Sequence, residues 1–465
     1  MSKKHLAFSV LATGVLSLAN AQAAEDLNAM FSEGKVSGQI REFSVVRTYK
    51  RSAANDYTRT ANAIGGHIKY ETAELGGLSI GAALYTTNGF LNHSSVHSGT
   101  ARTDRYVDMT LLGKNNESYS ILGEAYLKYK RGNTAFKGGR QKLVTPMMGD
   151  DDARMMANLF EAYVLTNKDI ANTTLTLGHV SKFAQGTFGR IYNHTAASSD
   201  AAKILSATAG YSYVDSLNQV GEFKNMGTYA FGESTGGVTM ASATYTGIKN
   251  LKLDFWDYYA HDIMNTIYAE ANYSWKCLFT DSIKPFAGIQ VIKQDDVGSS
   301  VLKSQGGDGS IDSLYTALKL GAKVKSFTAY AAYSETSKNS DGDRSYKNAI
   351  ITPWGGMPAY TQGMVTRHMF LAGTKASKVA ASYNFKEDGV NLDASVYYTT
   401  FSMRKNNGYT HGDANESGFD LIYYPSMVKK LQVRFRGNYP RSFNVSASGA
   451  KTGWAEHRFI LNYNF

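Results

Sequence analysis

The sequence predicts an all-β protein, a transmembrane antiparallel β-barrel of about 18 strands. Three observations predict this fold class. Apolar and polar side chains alternate with a period of two in many segments, short turns alternate with long insertions, and the final strand carries aromatic residues to the last position. The composition agrees, because 31 Tyr, 22 Phe and 44 Gly accompany only 6 Pro, and proline is excluded from the interior of a sheet.

Alternation is clear in residues 267–276, where Ile, Ala, Ala, Tyr and Trp alternate with Tyr, Glu, Asn, Ser and Lys. In residues 431–438, Val and Phe alternate with Gln, Arg and Asn. One face of each strand is therefore apolar and the other polar. A wall between lipid and a water-filled lumen requires this pattern, which also explains why the mean hydropathy is only −0.31.

The segments between the strands fall into two length classes. Short turn-forming clusters occupy residues 74–78, 167–172 and 386–389, and longer polar insertions occupy residues 88–105, 183–202, 297–312 and 335–366. Outer-membrane barrels have tight periplasmic turns and longer outer loops, so this spacing predicts such a barrel. No linker or change of composition divides the chain.

The two ends of the chain predict export and membrane assembly. Lys3 and Lys4 precede an uncharged apolar run, and the A-x-A pattern at residues 21–23 follows it. We therefore expect residues 1–23 to be a cleaved signal peptide and residues 24–465 to be the barrel domain in the bacterial outer membrane. An uncleaved cytoplasmic-membrane anchor is the alternative. At the other end, aromatic and apolar residues share one face and predict a signal for the barrel assembly machinery: Phe459, Leu461, Tyr463 and Phe465.

Four blocks of the sequence resemble the OprD-type outer membrane porins, in particular their epsilonproteobacterial branch. They are FSEGKVSGQIR at residues 31–41, IGGHIKYET at residues 64–72, EAYLKYKRGNTAFKGGRQK at residues 124–142 and TPMMGDDDARMMANLFE at residues 145–161. The resemblance is strongest over the first third of the mature chain, and residues 139–160 are its most specific part.

The resemblance implies an 18-stranded barrel that is a monomer or a loose homotrimer, with a third outer loop that folds inward and narrows the pore. In this chain that loop is expected at residues 143–158, with these constriction residues: Pro146, Asp150, Asp151, Asp152 and Arg154. The implied function is passive diffusion of small charged solutes such as amino acids, carboxylates and small peptides. Outer-membrane lipid and lipopolysaccharide are the expected surroundings.

Basic residues at alternate strand positions predict a cationic lumen wall, because a cation facing mid-membrane lipid costs about 2–4 kcal/mol. The predicted wall residues are Lys128, Lys130, Lys323, Lys325, Arg434 and Arg436. We expect them to attract anions and to guide carboxylates. The alternative is that they only keep the lumen wet and pair with acids such as Glu124 and Glu270.

The run from Asp150 to Asp152, followed by Arg154, is the sharpest local charge cluster in the chain. On a loop folded into the pore, these carboxylates would face the basic wall and create a transverse field that orients dipolar solutes. The alternatives are an exposed acidic turn or a surface cation site that bridges lipid phosphates.

Other function classes have weaker support. No nucleophile elbow, zinc-protease, Walker A or C-x-x-C motif is present, so we expect no enzymatic activity, cofactor or metal. The formal charge of +10 is spread over strands rather than clustered, so nucleic acid is not an expected partner. The second hypothesis is a structural or adhesive barrel with an occluded pore, in which the 335–366 loop, with Pro353, Trp354 and Pro358, contacts other cells.

Overall fold

The structure is a computed structural model that describes residues 23–50, 57–90, 107–113, 116–192, 221–298, 301, 309–341, 343, 345, 347–403, 412–445 and 451–465. Nearly all of the predicted signal peptide lies outside these residues. Within them, no helix is both long and apolar enough to cross a bilayer.

Eighteen long strands form a wall in the described part of the chain. In chain order they are β1 Lys35–Lys50, β2 Tyr57–Glu71, β3 Leu78–Gly89, β4 Tyr119–Arg131, β5 Thr134–Gln141, β6 Leu159–Asn167, β7 Thr173–Ala184, β8 Val238–Tyr245, β9 Leu251–Ala260, β10 Met264–Ser274, β11 Ile283–Asp296, β12 Asp312–Val324, β13 Phe327–Thr336, β14 Lys375–Asn384, β15 Leu392–Ser402, β16 Ala414–Tyr423, β17 Leu431–Arg441 and β18 Lys451–Asn464. Two-residue strands at Lys224–Asn225 and Asn444–Val445 add short pairings to β7 and β18.

These strands close into an antiparallel barrel, because each pairs with the next along the chain and β18 pairs with β1. At the closing seam, Arg41 lies opposite Asn462 and Val45 lies opposite Arg458. Closure leaves the wall without an open sheet edge, as a bilayer requires. The predicted fold class and strand number are confirmed.

The connections differ at the two ends of the barrel. At the short-turn end, two residues join β4 to β5 and two join β12 to β13. The opposite end carries the long loops, of which four matter below: L2 (90–118), L3 (142–158), L4 (185–237) and L7 (337–374). By the general rule for such barrels, the short-turn end faces the periplasm.

Short helices occur outside the wall. They are α1 Leu27–Ser32, α2 Met226–Phe231 in L4, and 3-10 turns at Thr187–Tyr192, His368–Phe370 and Phe385–Asp388. Helix α1 lies at the short-turn end, where the Asp26 carboxylate caps it by accepting a hydrogen bond from the Ala29 backbone N–H at 2.7 Å.

Side chains on the strands alternate between the lumen and the lipid side, as the period-two pattern predicts. On β18, Glu456 and Arg458 face inward and are 0 % and 1 % exposed, whereas Phe459 and Tyr463 face outward and are 41 % and 40 % exposed. The lumen is partly filled by loops, since Trp354 and Phe370 of L7 belong to a buried apolar cluster with wall residues such as Phe160.

Candidate pore constriction

Loop L3 lies inside the barrel because its apolar residues pack against the inner wall. Met155 and Met156 are almost fully buried in one cluster with Phe43 and Val45 of β1. The expected inward fold of residues 143–158 is therefore what the structure has.

Two carboxylates at the tip of L3 meet two cations. Asp152 accepts hydrogen bonds from both Nη atoms of Arg41 on β1, at 2.6 and 3.1 Å. The Nζ of Lys142 lies 3.5 Å from Asp150 Oδ2 and 3.8 Å from Asp152 Oδ2. The side chains of Asp150 and Asp152 are 23 % and 31 % exposed, so lumen water reaches them. We call Arg41, Lys142, Asp150 and Asp152 the tip cluster.

The two tip carboxylates differ in acidity. Burial raises the pKa of Asp150 to about 6, the charges of Asp152 and Asp151 add to the shift, and Lys142 opposes it. Burial also acts to raise the pKa of Asp152, but Arg41 and Lys142 outweigh it and hold that pKa well below its usual range. The tip therefore carries one permanent negative charge and one that titrates near pH 6.

Arg154, the next charged residue of L3, is fully buried and anchors the loop. Its Nη2 lies 2.6 Å from Glu456, which also contacts Arg47 at 2.6 Å and Arg458 at 3.0 Å. Arg47 in turn lies 3.2 Å from Asp108 of L2. We call these five residues the ionic anchor. The prediction that Arg154 lines the constriction is wrong, because its 0 % exposure leaves no surface for a solute.

Asp151 and Pro146 are buried at the junction between L3 and L7. Asp151 Oδ2 is 3.4 Å from Arg367 of L7, and Oδ1 accepts a hydrogen bond from the Gly356 backbone N–H at 3.2 Å. The buried Pro146 presents its carbonyl oxygen to Gly356. Asp151 is only 7 % exposed, so its predicted contact with solutes is corrected to a contact between loops.

Two of the predicted wall cations, Arg434 and Arg436, lie on the inner side of β17. Arg434 donates from Nε to Asp420 Oδ1 at 2.8 Å and pairs with it a second time through Nη2, and Arg436 Nη2 lies 3.4 Å from the same carboxylate. Two guanidinium groups share one carboxylate, so this part of the wall is net positive. Arg458 of β18 is 1 % exposed and paired with Glu456, and Arg41 of β1 is paired with Asp152, so the excess positive charge on this side of the lumen comes from Arg434 and Arg436.

The other four predicted wall lysines lie at the short-turn end, away from the tip cluster. Lys128 is inward-facing and 3.1 Å from Glu71, and Lys130 and Lys323 share the inward side of their strands. Lys325 is in the two-residue turn after β12, where its φ of 49° places it in the left-handed region. Because it is exposed and outside the strand, Lys325 is not a wall residue, which corrects that prediction.

Sequence reasoning did not single out several residues that the structure brings to the constriction. They are Arg41, Arg47, Asp108, Lys142, Arg367, Glu456 and Arg458. Arg41 and Lys142 are the last residues of two of the blocks that resemble the family. Glu456 and Arg458 occupy alternate positions of the last strand that face the lumen. The position of a residue within its strand could therefore have identified these residues.

Loop L7 is the second segment inside the lumen. Trp354 is 3 % exposed and donates from Nε1 to the Met226 carbonyl at 3.1 Å. The buried carboxylate of Glu416 on β16 accepts from the backbone N–H of Met364 at 2.6 Å and of Thr366 at 2.8 Å. Trp354 is therefore not available to contact another cell, which contradicts the interpretation of this part of the 335–366 loop as an exposed adhesive surface.

Metal binding has no support from the residues that the structure describes, since among them no group of three or more His, Cys, Asp or Glu side chains could hold an ion.

A sequence profile of the outer membrane porin, OprD family, matches residues 29–465. The chain belongs to this family. Membership establishes an outer-membrane channel as the main interpretation of the barrel, in preference to the structural or adhesive alternative. A search of curated proteins found no match.

Solved structures similar to this OprD-family porin come from Pseudomonas aeruginosa. OccK9 (OpdG) is 18 % identical with a TM-score of 0.71, and the match covers 94 % of this chain and 99 % of that one. OpdK, solved with vanillate, is 15 % identical with a TM-score of 0.68 and the same coverage. OccK5 (OpdH) is 16 % identical with a TM-score of 0.68, again over 94 % and 99 % of the two chains. At these identities the likeness supports the barrel fold.

Proposed function

We propose that this OprD-family porin passes small carboxylate-bearing solutes, such as amino acids, small carboxylates and small peptides, by passive diffusion through an electrostatically selective pore. The observation that carries the proposal is that Arg434 and Arg436 share the single carboxylate of Asp420 on the inner wall, while L3 brings the carboxylates of Asp150 and Asp152 into the lumen. OpdK was solved with vanillate, a carboxylate, and this agrees with the proposal.

The two sides of the constriction have different roles. The excess charge of Arg434 and Arg436 over Asp420 raises the local concentration of anions, because the low-dielectric walls of a narrow lumen focus the electrostatic field. The carboxylates of Asp150 and Asp152 on the loop side attract the ammonium end of an amino acid. A zwitterion is therefore oriented across the path, whereas a simple cation meets the arginines and is disfavoured.

Neutralising the wall arginines tests the proposal. The double variant Arg434→Gln/Arg436→Gln is expected to lower the ratio of anion to cation permeability by about fivefold, which corresponds to about 1 kcal/mol. The measurement is the reversal potential of the purified porin in a planar bilayer under a salt gradient. The matched control is Arg140→Gln, because Arg140 lies on the outer side of β5, where it pairs with Glu161 at 3.8 Å.

Two results would contradict the proposal. A wild-type pore that prefers cations, unchanged by the double substitution, would remove the arginines from the selectivity mechanism. Purified protein without discrete channel openings would instead support an occluded barrel.

The pH dependence of selectivity follows from Asp150. Because burial raises the pKa of Asp150 to about 6, this carboxylate is ionised above that pH and neutral below it. We expect the preference for anions to increase by about twofold as the pH falls from about 7.5 to about 5, because Asp150 then loses its negative charge. Asp152 does not contribute, since Arg41 and Lys142 keep it ionised over this range. In the variant Asp150→Asn, the reversal potential at neutral pH should already equal the value that the wild type reaches at low pH. If this variant keeps the full pH response, a group other than Asp150 must titrate.

Several expectations accompany the proposal and stay predictions. They include the signal peptide at residues 1–23, recognition of the terminal strand by the assembly machinery, contact with lipopolysaccharide, and a monomeric or loosely trimeric state. The four blocks that resemble the family also favour its epsilonproteobacterial branch.

A further inference from the structure

Four consecutive turns at the short-turn end form one continuous stretch of the barrel rim. They are residues 132–133, 168–172, 246–250 and 275–282, which follow β4, β6, β8 and β10. Backbone hydrogen bonds from an N–H to a carbonyl join each turn to the next, from Lys168 to Asn133 at 3.1 Å, from Thr246 to Asn172 at 2.9 Å and from Ser274 to Asn250 at 3.0 Å. The side chains of these turns therefore share one surface.

Large apolar side chains are exposed at the tips of three of these turns. Leu278 and Phe279 are 92 % and 93 % exposed, and Ile170 and Ile248 are both more than half exposed. A single exposed apolar side chain is common on protein surfaces, but several on adjacent turns form a patch. Contact with water is unfavourable for such a patch, so an apolar environment would stabilise it.

Each of the four turns also carries one cation: Arg131, Lys168, Lys249 and Lys276. Among the residues that the structure describes, the first three have no carboxylate within ion-pair distance. Lys276 Nζ lies 3.7 Å from Asp281, but both side chains are more than four-fifths exposed, so water and salt screen the pair. Asp169 and Asp281 are the only acids in the sequence of these turns, so the stretch has a net positive charge. We call the four cations and the four apolar tips the rim patch.

Aromatic residues mark the membrane boundary next to the rim patch. Tyr245 and Tyr273 are exposed on the outer face, and the Trp275 ring stacks on Tyr273 with ring centres 5.7 Å apart. Such rings lie where the hydrocarbon meets the polar headgroups. Ile248 is three residues beyond Tyr245, and Leu278 is three beyond Trp275. On a strand tilted by about 40° this is about 8 Å along the barrel axis, so the tips lie at the depth of one headgroup layer.

We propose that the rim patch binds anionic phospholipid of the inner leaflet, such as phosphatidylglycerol, in preference to zwitterionic phospholipid. The four cations contact the lipid headgroups, and the apolar tips enter the boundary with the acyl chains, as interfacial segments do at a charged membrane surface. Opposite charge selects this occupant over a second copy of the chain, because a second rim patch would also be positive. The site lies outside the pore and does not depend on the proposed function.

Trp275 reports on the lipid at the rim patch, because Trp256, Trp354 and Trp454 are buried inside the barrel. The porin is placed in phosphatidylcholine nanodiscs that contain a minor fraction of brominated phosphatidylglycerol or of brominated phosphatidylcholine, since bromine quenches tryptophan on contact. In the wild type we expect the phosphatidylglycerol to quench about threefold more than the phosphatidylcholine. High salt should bring this ratio close to one, because it screens the cations.

Two sets of variants locate the effect. In Arg131→Gln/Lys168→Gln/Lys249→Gln/Lys276→Gln the quenching ratio is expected to fall to about one. The control Lys429→Gln/Lys430→Gln removes two exposed lysines from the turn after β16, six strands along the wall from β10, and should leave the ratio unchanged. In Trp275→Phe/Phe279→Trp the reporter moves to a tip of the rim patch, where brominated phosphatidylglycerol should still quench it.

Four results would overturn the proposal. The two brominated lipids could quench the wild type equally, or the four glutamines could leave the ratio unchanged. The Lys429 and Lys430 control could lower the ratio as much as the four glutamines, which would show that total charge rather than the rim patch selects the lipid. A tryptophan at position 279 that aqueous iodide quenches and brominated lipid does not would show that the tips remain in the periplasm, where a protein partner would have to cover them.

Discussion

Replacing Glu456 by glutamine is expected to release L3 from the barrel wall and to destabilise the folded porin by about 3 kcal/mol. Glu456 is 0 % exposed, and its carboxylate is the common partner of Arg47, Arg154 and Arg458. Glutamine keeps the shape of the side chain and removes the charge. Of the carboxylates in the ionic anchor, only Asp108 would then remain for three buried guanidinium groups, and it already lies against Arg47. Their repulsion is relieved most easily by movement of Arg154 together with its loop.

Two measurements separate the expected consequences. The temperature at which the folded band disappears in heat-modifiable gel migration should fall, and single-channel conductance should rise and become noisy as L3 leaves the path. The matched control is Glu335→Gln, because Glu335 pairs with Lys375 at 3.7 Å with both side chains more than half exposed. An exposed pair contributes less than about 1 kcal/mol. If the Glu456 variant is as stable as this control and its current shows no more noise, then the apolar packing of the L3 methionines alone holds the loop.

The barrel could be predicted from the sequence because its rule is local. Each strand must present one face to lipid and the other to the lumen, so a period of two recurs whatever the partner strands are. The inward position of Arg434 and Arg436 follows from the same alternation of side chains along a strand. Strand β1 departs from the pattern, since its inward positions mix Arg41 and Arg47 with Phe43 and Val45. The two apolar residues meet L3, and the sequence of one strand does not reveal that contact.

The constriction was less predictable because its contacts join distant parts of the chain. Arg41 and Asp152 are 111 positions apart, and Arg154 and Glu456 are 302 apart. Only the family resemblance placed L3 in the pore. Loop L7 had no such support, although a polar insertion that carries Ile350, Ile351 and Trp354 contains more apolar surface than an exposed loop needs.

Replacing Gly356 by alanine is expected to separate L7 from L3 and to open the constriction. Gly356 has a φ of 94° and donates its N–H to Asp151. A Cβ at this position would overlap the carbonyl oxygen of Pro146 and lie 3.2 Å from Met147 Cα. Both contacts are with the L3 backbone, so no side-chain rotation relieves them. We expect higher conductance and weaker anion selectivity, measured in the same bilayer, because the tip cluster loses the support of L7.

The control for Gly356 must carry the same backbone strain without the clash. Gly389 does so, because its φ is 83° and a methyl group added there would have no heavy atom within 4 Å. Alanine in the left-handed region costs about 1 kcal/mol at either site. Gly389→Ala should therefore lose some stability and keep the wild-type conductance. If Gly356→Ala behaves like Gly389→Ala, then L7 does not support the tip of L3, and the ionic anchor together with the apolar packing of L3 must be sufficient to hold the pore narrow.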